Sequence, residues 1–432
     1  MLALWLLPLG SAYAVDLLQA YELALINDPV FRSAIHENEA GQQNEKIGLS
    51  GLLPSLTLTH TQGINRGTLS QGGISAPLNF NNEVTTLALR QPLLNMEAVA
   101  SYRQGVARAN SSRSKFEGDA DRLIVRLTEV YFEALLAKER LALAKAQRDA
   151  LAELQQVNTN MFKRGEGTRT DVLETQSRFA LAQAQLIETQ DAWDAARLVL
   201  SALVGEPVEH LTTLGKAFQI QPLAPADFES WREMAQARNA ELVTQRYLVE
   251  TSKQEVTRSR AGHAPRVDLV ASLSRNNSAS FVTADRDARL ASVGVEVNVP
   301  IFAGGRVNAI TNQARANLAR AEAELDAMAD QAMLELRRQY QLLQSSILRI
   351  QSLEIAVDSA RLLVEATEKS IRGGIRINLD LLDAQSQFYG AQVNLAEARY
   401  NYLLAYLRLR FLAGTLELDD LRQVATYFVA AE

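Results

Sequence analysis

Apolar positions recur in two distinct rhythms along the chain. Over residues 305–371 they return every three or four positions, at Val307, Ile310, Ala314, Leu318, Ala321, Leu325, Met328, Ala332 and Leu336. Tyr340, Leu343 and Ile347 continue the series. That spacing is the stripe of an amphipathic helix. The stretch holds no proline, and neither does 97–161, whereas prolines punctuate the rest at Pro29, Pro54, Pro77, Pro92, Pro207, Pro222, Pro225, Pro265 and Pro300. Proline inside a helix costs about 3 kcal/mol or more, so the two gaps predict long helical rods. At 1.5 Å per residue each would run ~100 Å. Gly105 and Gly118 are weak points in the first rod, each about 1 kcal/mol worse than alanine. Shorter helices are predicted over 16–51, 168–204, 227–262 and 378–413.

The second rhythm has a period of two. Val293, Val295, Val297 and Val299 alternate with Gly294, Glu296 and Asn298, and Val267, Leu269, Ala271 and Leu273 share one parity. Similar extended pieces open at Leu56 and run from Val84 to Gln91. Alternation predicts strands with one apolar face, here two hairpins over 53–91 and 266–299. The stretches 69–82 and 275–288, polar and rich in Gly, Ser and Asn, are expected to be hairpin loops in water.

The two rhythms come in the same order twice. Residues 162–205 align without gaps on 371–414, matching Gly165 with Gly374, Asp171 with Asp380, Leu173 with Leu382, Phe179 with Phe388 and Gly205 with Gly414. Pro54 pairs with Pro265 and Pro92 with Pro300. Heptad-like segments resemble one another by chance, but chance does not also pair prolines at strand ends and glycines at helix turns. The chain therefore reads as a tandem duplication of helix, hairpin, long helix, turn and helix. The first repeat is assigned to 15–215 (long helix 97–161), a linker to 216–226 and the second repeat to 227–414 (long helix 305–371). A tail of 415–432 has no assignable role from 418 onward.

Composition narrows the function. A net charge of −6 gives no basic stripe for nucleic acid, so no such partner is expected. The absence of cysteine excludes disulfides, thiolate metal sites, cysteine nucleophiles and a lipidated N-terminal cysteine. The four histidines, His36, His60, His210 and His263, show no metal spacing, and Gly304-Gly305 and Gly373-Gly374 are not phosphate loops. Neither an enzyme nor a cofactor is indicated. Leu2 to Leu9 is apolar and precedes Ala12-Tyr13-Ala14, which predicts a signal peptide over 1–14. No Lys or Arg precedes Arg32, so the positive region of such a peptide would lie upstream of Met1. No later stretch approaches the ~20 apolar residues of a spanning helix. Four strands cannot close a barrel, and an open edge in lipid leaves backbone groups unpaired at several kcal/mol each. A membrane role for these strands therefore requires several copies.

The duplicated order resembles the TolC family of outer-membrane efflux and secretion channels. The residues that carry the likeness are Gln91-Pro92-Leu93-Leu94, its twin Pro300-Ile301-Phe302-Ala303-Gly304-Gly305, the segment Ala398-Arg399-Tyr400-Asn401-Tyr402-Leu403, Gly414-Thr415-Leu416 and Leu17-Leu18-Gln19-Ala20-Tyr21. The resemblance implies a mainly α protomer of a homotrimer, with a 12-stranded outer-membrane β-barrel, four strands per chain, continued by a long periplasmic α-helical barrel. It implies an exit duct working with a periplasmic adaptor protein and an inner-membrane ABC or other transporter, with lipid around the barrel. The missing lipobox cysteine and the C-terminal half favour type I protein secretion over small-molecule efflux. A soluble periplasmic coiled-coil scaffold is the alternative of a different class. Pro92, Pro300, Gly304 and Gly305 fall at the strand-to-helix junctions. The helix turns, with Arg164, Gly165, Glu166, Arg372, Gly373 and Gly374, become the adaptor-docking tip. Asp380 and Asp383, three residues apart, would form stacked carboxylate rings at the constricted entrance. The plainer alternative for the pair is solvated surface charge with favourable placement at a helix N-terminus. Arg376 matches a position that ties the closed entrance to a neighbouring helix near Thr170 and Asp171. At Ile371 the chain departs from the tyrosine of that branch, which implies a less restrained closed state.

Overall fold

The computed structural model describes residues 15–215, 218–220, 222–280, 283–373 and 375–429. The expected signal peptide lies outside the described residues. In chain order come α1 (Leu17–Asn27), α2 (Pro29–Ser50), β1 (Ser55–Gln71), β2 (Ile74–Leu94), α3 (Met96–Lys163) and α4 (Arg169–Val204). Then follow β3 (Thr213–Leu214), α5 (Phe228–Arg238), α6 (Ala240–Arg260), β4 (Arg266–Ser280) and β5 (Thr283–Asn298). The chain closes with α7 (Arg306–Arg372), α8 (Asn378–Ala413), α9 (Leu418–Ala425) and β6 (Phe428–Val429). The two proline-free stretches are single helices of 68 and 67 residues.

The chain divides into two compact units that each draw on both repeats. One gathers Met1–His36, Phe116–Ala240 and Ala329–Glu432; the other gathers Glu37–Lys115 and Glu241–Met328.

The first unit is helical around a core that includes Leu17, Leu127, Tyr131, Leu135, Leu200, Leu336, Leu343, Leu407 and Leu421. Two helices expected to be continuous are broken here. The helix predicted over 16–51 stops at Asp28, because Pro29 pushes the preceding residue out of the helical region (ψ 117°). Asp28 then caps α2 by accepting from Phe31 N at 2.9 Å, and it pairs with Arg126. The helix predicted over 227–262 breaks at Asn239, where no proline intervenes. There the buried Asn239 side chain donates to Leu412 O at 2.9 Å, satisfying a carbonyl at the end of α8. In the other repeat, Asn27 donates in the same way to Val204 O at 2.7 Å. The tail is structured. Leu421 and Val424 of α9 are buried, and β6 pairs antiparallel with β3. Phe428 stacks on Phe132 with ring centroids 5.5 Å apart. The expected linker also packs, with Phe218 edge-on to Tyr427 at 5.5 Å.

The second unit carries an antiparallel sheet in the order β1-β2-β4-β5. The regions expected as long loops are mostly strand. Gln71 pairs with Ile74, so the first hairpin turns on Gly72-Gly73 alone. Both glycines have positive φ (62° and 84°), the requirement of a tight primed turn that matches strand twist. Polarity along 69–82 marks strands in water rather than loops. Pro77 is tolerated there because β4 pairs with β2 only from Asn82 onward, leaving that side of β2 an edge. Gly105 is more than a weak point: a Cβ there would collide with Asn44 O, so the glycine lets α2 and α3 approach closely.

Candidate functional site

Two regions carry the candidate residues: the paired helix turns of the first unit and the sheet of the second.

At the α3–α4 turn, Gly165 adopts φ +78° and Glu166 N donates to Met161 O at 2.9 Å, closing the helix end. Arg164 and Glu166 form an exposed ion pair at 3.2 Å. Thr168 and Asp171 make a full capping box. Asp171 N donates to Thr168 Oγ1 (3.1 Å), while Thr168 N and Oγ1 donate to Asp171 Oδ2 (3.1 and 2.6 Å). Thr170 is exposed.

The α7–α8 turn repeats the backbone pattern. Ile375 N donates to Ser370 O at 2.9 Å and Gly373 N to Lys369 O at 3.1 Å. Arg372 is the last residue of α7, and Gly374 lies outside the described residues. The cap is only half made. The Ile377 side chain has no acceptor to offer, so Asp380 N donates to the Ile377 carbonyl at 3.2 Å, while Ile377 N donates to Asp380 Oδ2 at 3.4 Å. Arg376 is exposed and carries no hydrogen bond or ion pair to any described residue.

Asp383 is not isolated: its Oδ1 accepts from Arg178 Nη2 of α4 at 2.8 Å, a cross-helix pair that no local sequence pattern signals. Charge spacing along one helix says nothing about a partner 205 residues away. Behind these gate candidates, the buried Thr175 Oγ1 gathers three elements. It donates to Asp171 O (2.7 Å) and accepts from Asn158 (2.8 Å) and Asn378 (3.2 Å). The gate candidates Thr170, Asp171, Asp380 and Asp383 therefore stand on α4 and α8, which this hydroxyl links.

In the sheet, register sorts the side chains by face. Leu58, Leu87, Leu273 and Ala291 form one cross-strand row, and Leu56, Leu89, Ala271 and Val293 the next on the same face. Many of these are exposed, as are Val295 and Val297 further along. From Ala291 in β5 to Val299, one residue past its end, the apolar positions span ~27 Å, or ~21 Å at a ~40° tilt, close to the ~25 Å band of outer-membrane barrels. The opposite face carries Thr57, Thr59, Thr86, Ser272 and Ser292, which are polar. Among the described residues no helix is long and apolar enough to cross a membrane.

The strand-to-helix junctions differ. Pro92 stands opposite Asp268 inside β2, where the register slips before Leu94, and Asn95 alone then caps α3 through Ala98 N (3.0 Å). After β5 the chain continues through Pro300, then Ile301 and Phe302 (95% and 87% exposed), and Gly304 and Gly305, both with positive φ. Asp268, 2% exposed, accepts from Arg90 (2.5 Å) and Arg266 (2.8 Å), and Arg90 also reaches Glu296 at 2.9 Å. A lone aspartate between Val267 and Leu269 on an alternating strand was the signal for this cluster, and it went unread.

The family model described as outer membrane efflux protein matches residues 20–206 and again 231–415. The chain belongs to the outer membrane efflux protein family. Members of this family are channel and secretion-duct proteins of the outer membrane, and this one has a large periplasmic part. The alkaline protease secretion protein AprF of Pseudomonas aeruginosa is 43% identical over all of this chain and 91% of its own length. The proteases secretion protein PrtF of Dickeya chrysanthemi is 39% identical, covering 98% of this chain and 93% of its own. Among solved structures, the outer membrane protein VceC of Vibrio cholerae superposes with a TM-score of 0.79 at 18% identity, covering 92% of this chain and 96% of its own. That likeness speaks to the fold alone.

Proposed function

We propose that three copies of this chain join their sheets into one closed barrel and form the passive exit duct of a type I protein secretion system. The observation that carries this reading is the likeness, 43% and 39% identical over all or nearly all of the chain, to two relatives named for protease secretion. Energy comes from an inner-membrane ABC transporter, reached through a periplasmic adaptor that docks on the helix turns at Arg164, Gly165, Glu166, Arg372, Gly373 and Gly374. The duct conducts and does no chemistry of its own. The unpaired edges of β1 and β5 support the oligomer, because a lone four-stranded sheet leaves both unsatisfied in lipid.

The entrance is gated by Asp380 and Asp383, which repeat as rings in a trimer and repel one another when crowded. Arg178 offsets part of the Asp383 charge within its own chain. Arg376 is left to bridge to a neighbouring helix near Thr170 and Asp171 and to hold the closed state.

The test compares a deletion strain with its complemented parent. Loss of a protein from the culture medium with unchanged drug tolerance is the expected result. Collapse of drug tolerance with normal secretion would make the duct a small-molecule efflux component instead.

A further inference from the structure

We infer that the apolar face of the sheet carries, at its hairpin end, a binding site for the phosphate of a phosphorylated outer-leaflet lipid. The inference rests on that face being the lipid-facing side of a barrel.

Register places His60, Thr85, Arg275 and Arg289 in a single cross-strand row. It lies immediately beyond the last apolar row, Leu58, Leu87, Leu273 and Ala291, and on the same face, since the two rows are two residues apart on every strand. All of these residues except His60, together with Ser274 and Leu290 of the other parity, line an open hollow of about 370 Å³ that brings leucines and the two arginines together. That volume is within the range of small-molecule sites.

The two guanidinium groups are held differently. Arg275 donates twice to Asp287, from Nε to Oδ1 (3.2 Å) and from Nη2 to Oδ2 (3.0 Å), which fixes its plane. Arg289 stands 4.0 Å from the same carboxylate and is 75% exposed. One oriented and one loosely held guanidinium therefore sit at the depth where the apolar surface ends.

The chemistry that fits is a phosphate ester attached to acyl chains. Guanidinium binds phosphate through paired N–H donors, and the chain can continue down the apolar hollow. Asp287 and Glu83 occupy the next row outward, so an anion placed beyond the arginines meets carboxylates. Those carboxylates confine a phosphate to the boundary row. An uncharged headgroup gives the guanidinium groups no anion to hold.

The test uses the purified full-length oligomer in uncharged detergent, titrated with lipid A bearing two phosphates and with the same lipid after dephosphorylation. Binding is read by native mass spectrometry. The wild type should hold the phosphorylated lipid about ten-fold more tightly or better. Arg275→Gln/Arg289→Gln should lose that preference while remaining a heat-modifiable oligomer in the outer-membrane fraction, and Arg289→Gln alone should lose part of it. Millimolar inorganic phosphate should not displace the lipid. Equal wild-type affinity for the two lipids, a preference that survives in the double variant, or displacement by free phosphate each overturns the site while leaving the barrel intact. A wild-type chain absent from the outer membrane overturns site and barrel together.

Discussion

Asp121 of α3 offers a sharp test of how this helical core handles charge. Burial, and then the carboxylate of Glu117 one turn earlier, push its pKa from 3.8 up to about 6. An acid whose folded pKa exceeds its unfolded value favours folding only while it is protonated. Its contribution is therefore fully present below pH ~4, drains away as pH rises through ~6, and stays lost above that. The shift of about two units sets an upper bound of ~3 kcal/mol between the extremes, and solvent screening of this half-buried carboxylate brings the difference to ~1.5 kcal/mol, of which ~0.5 kcal/mol is already lost at pH 4.5. Asp121→Asn removes the titration and should stabilise the chain by those amounts. With an unfolding entropy of ~2.1 cal/mol/K per residue, 432 residues give ~0.9 kcal/mol/K. The variant should thus melt ~2 °C higher than wild type at pH 8 but only ~0.5 °C higher at pH 4.5, followed by helical circular dichroism. Glu117→Gln should recover a fraction of the gain at pH 8. A variant that melts lower at pH 8, or a gain independent of pH, would refute the reasoning.

Three further outcomes are expected. Asp268→Asn removes the shared acceptor of two arginines that can partly rehydrate, so it should cost ~2 kcal/mol in urea unfolding, while Glu296→Gln at the exposed end should cost under ~1; the reverse order would contradict the burial argument. Arg376→Glu should raise the resting conductance of the channel in planar bilayers, and an unchanged closed level would remove Arg376 from the gate. Ile377→Thr supplies the acceptor that Thr168 provides in the other repeat and should add ~1 kcal/mol at the start of α8, read as slower hydrogen exchange there; unaltered exchange would mean that Asp380 already completes the cap.

Features set by local periodicity were legible from residues alone. The long helices announced themselves through missing prolines and a continuous stripe, and the alternating valines marked β5. Features set by distant contacts were not. Nothing near Asn239 in sequence says that its side chain serves a carbonyl of α8, so the break between α5 and α6 was invisible. The break at Asp28 has a local signal in Pro29, but the apolar periodicity continues across it and outweighs the proline. Hairpin length was misjudged because polar residues in a long two-stranded arm look like loop until a two-glycine turn fixes the pairing. The tail from Leu418 was left blank, although Leu421 and Val424 share a helical face, because their partners lie far back in the chain. The spacing of Asp380 and Asp383 is visible in the chain, but Arg178 and Thr175 are not, since they approach from the other repeat.

The pairing of β2 with β4 has a kinetic consequence. It joins Thr86 to Ser274, 188 residues apart, whereas each hairpin closes on neighbours in sequence. Loop-closure entropy must be met before that central seam gives anything back, so both hairpins should form early and the four-stranded sheet late. Neither half of the duplication can complete the sheet without the other. A chain cut within 216–226 should regain function only when both fragments are supplied together, which makes the duplication a single folding unit rather than two that happen to be joined.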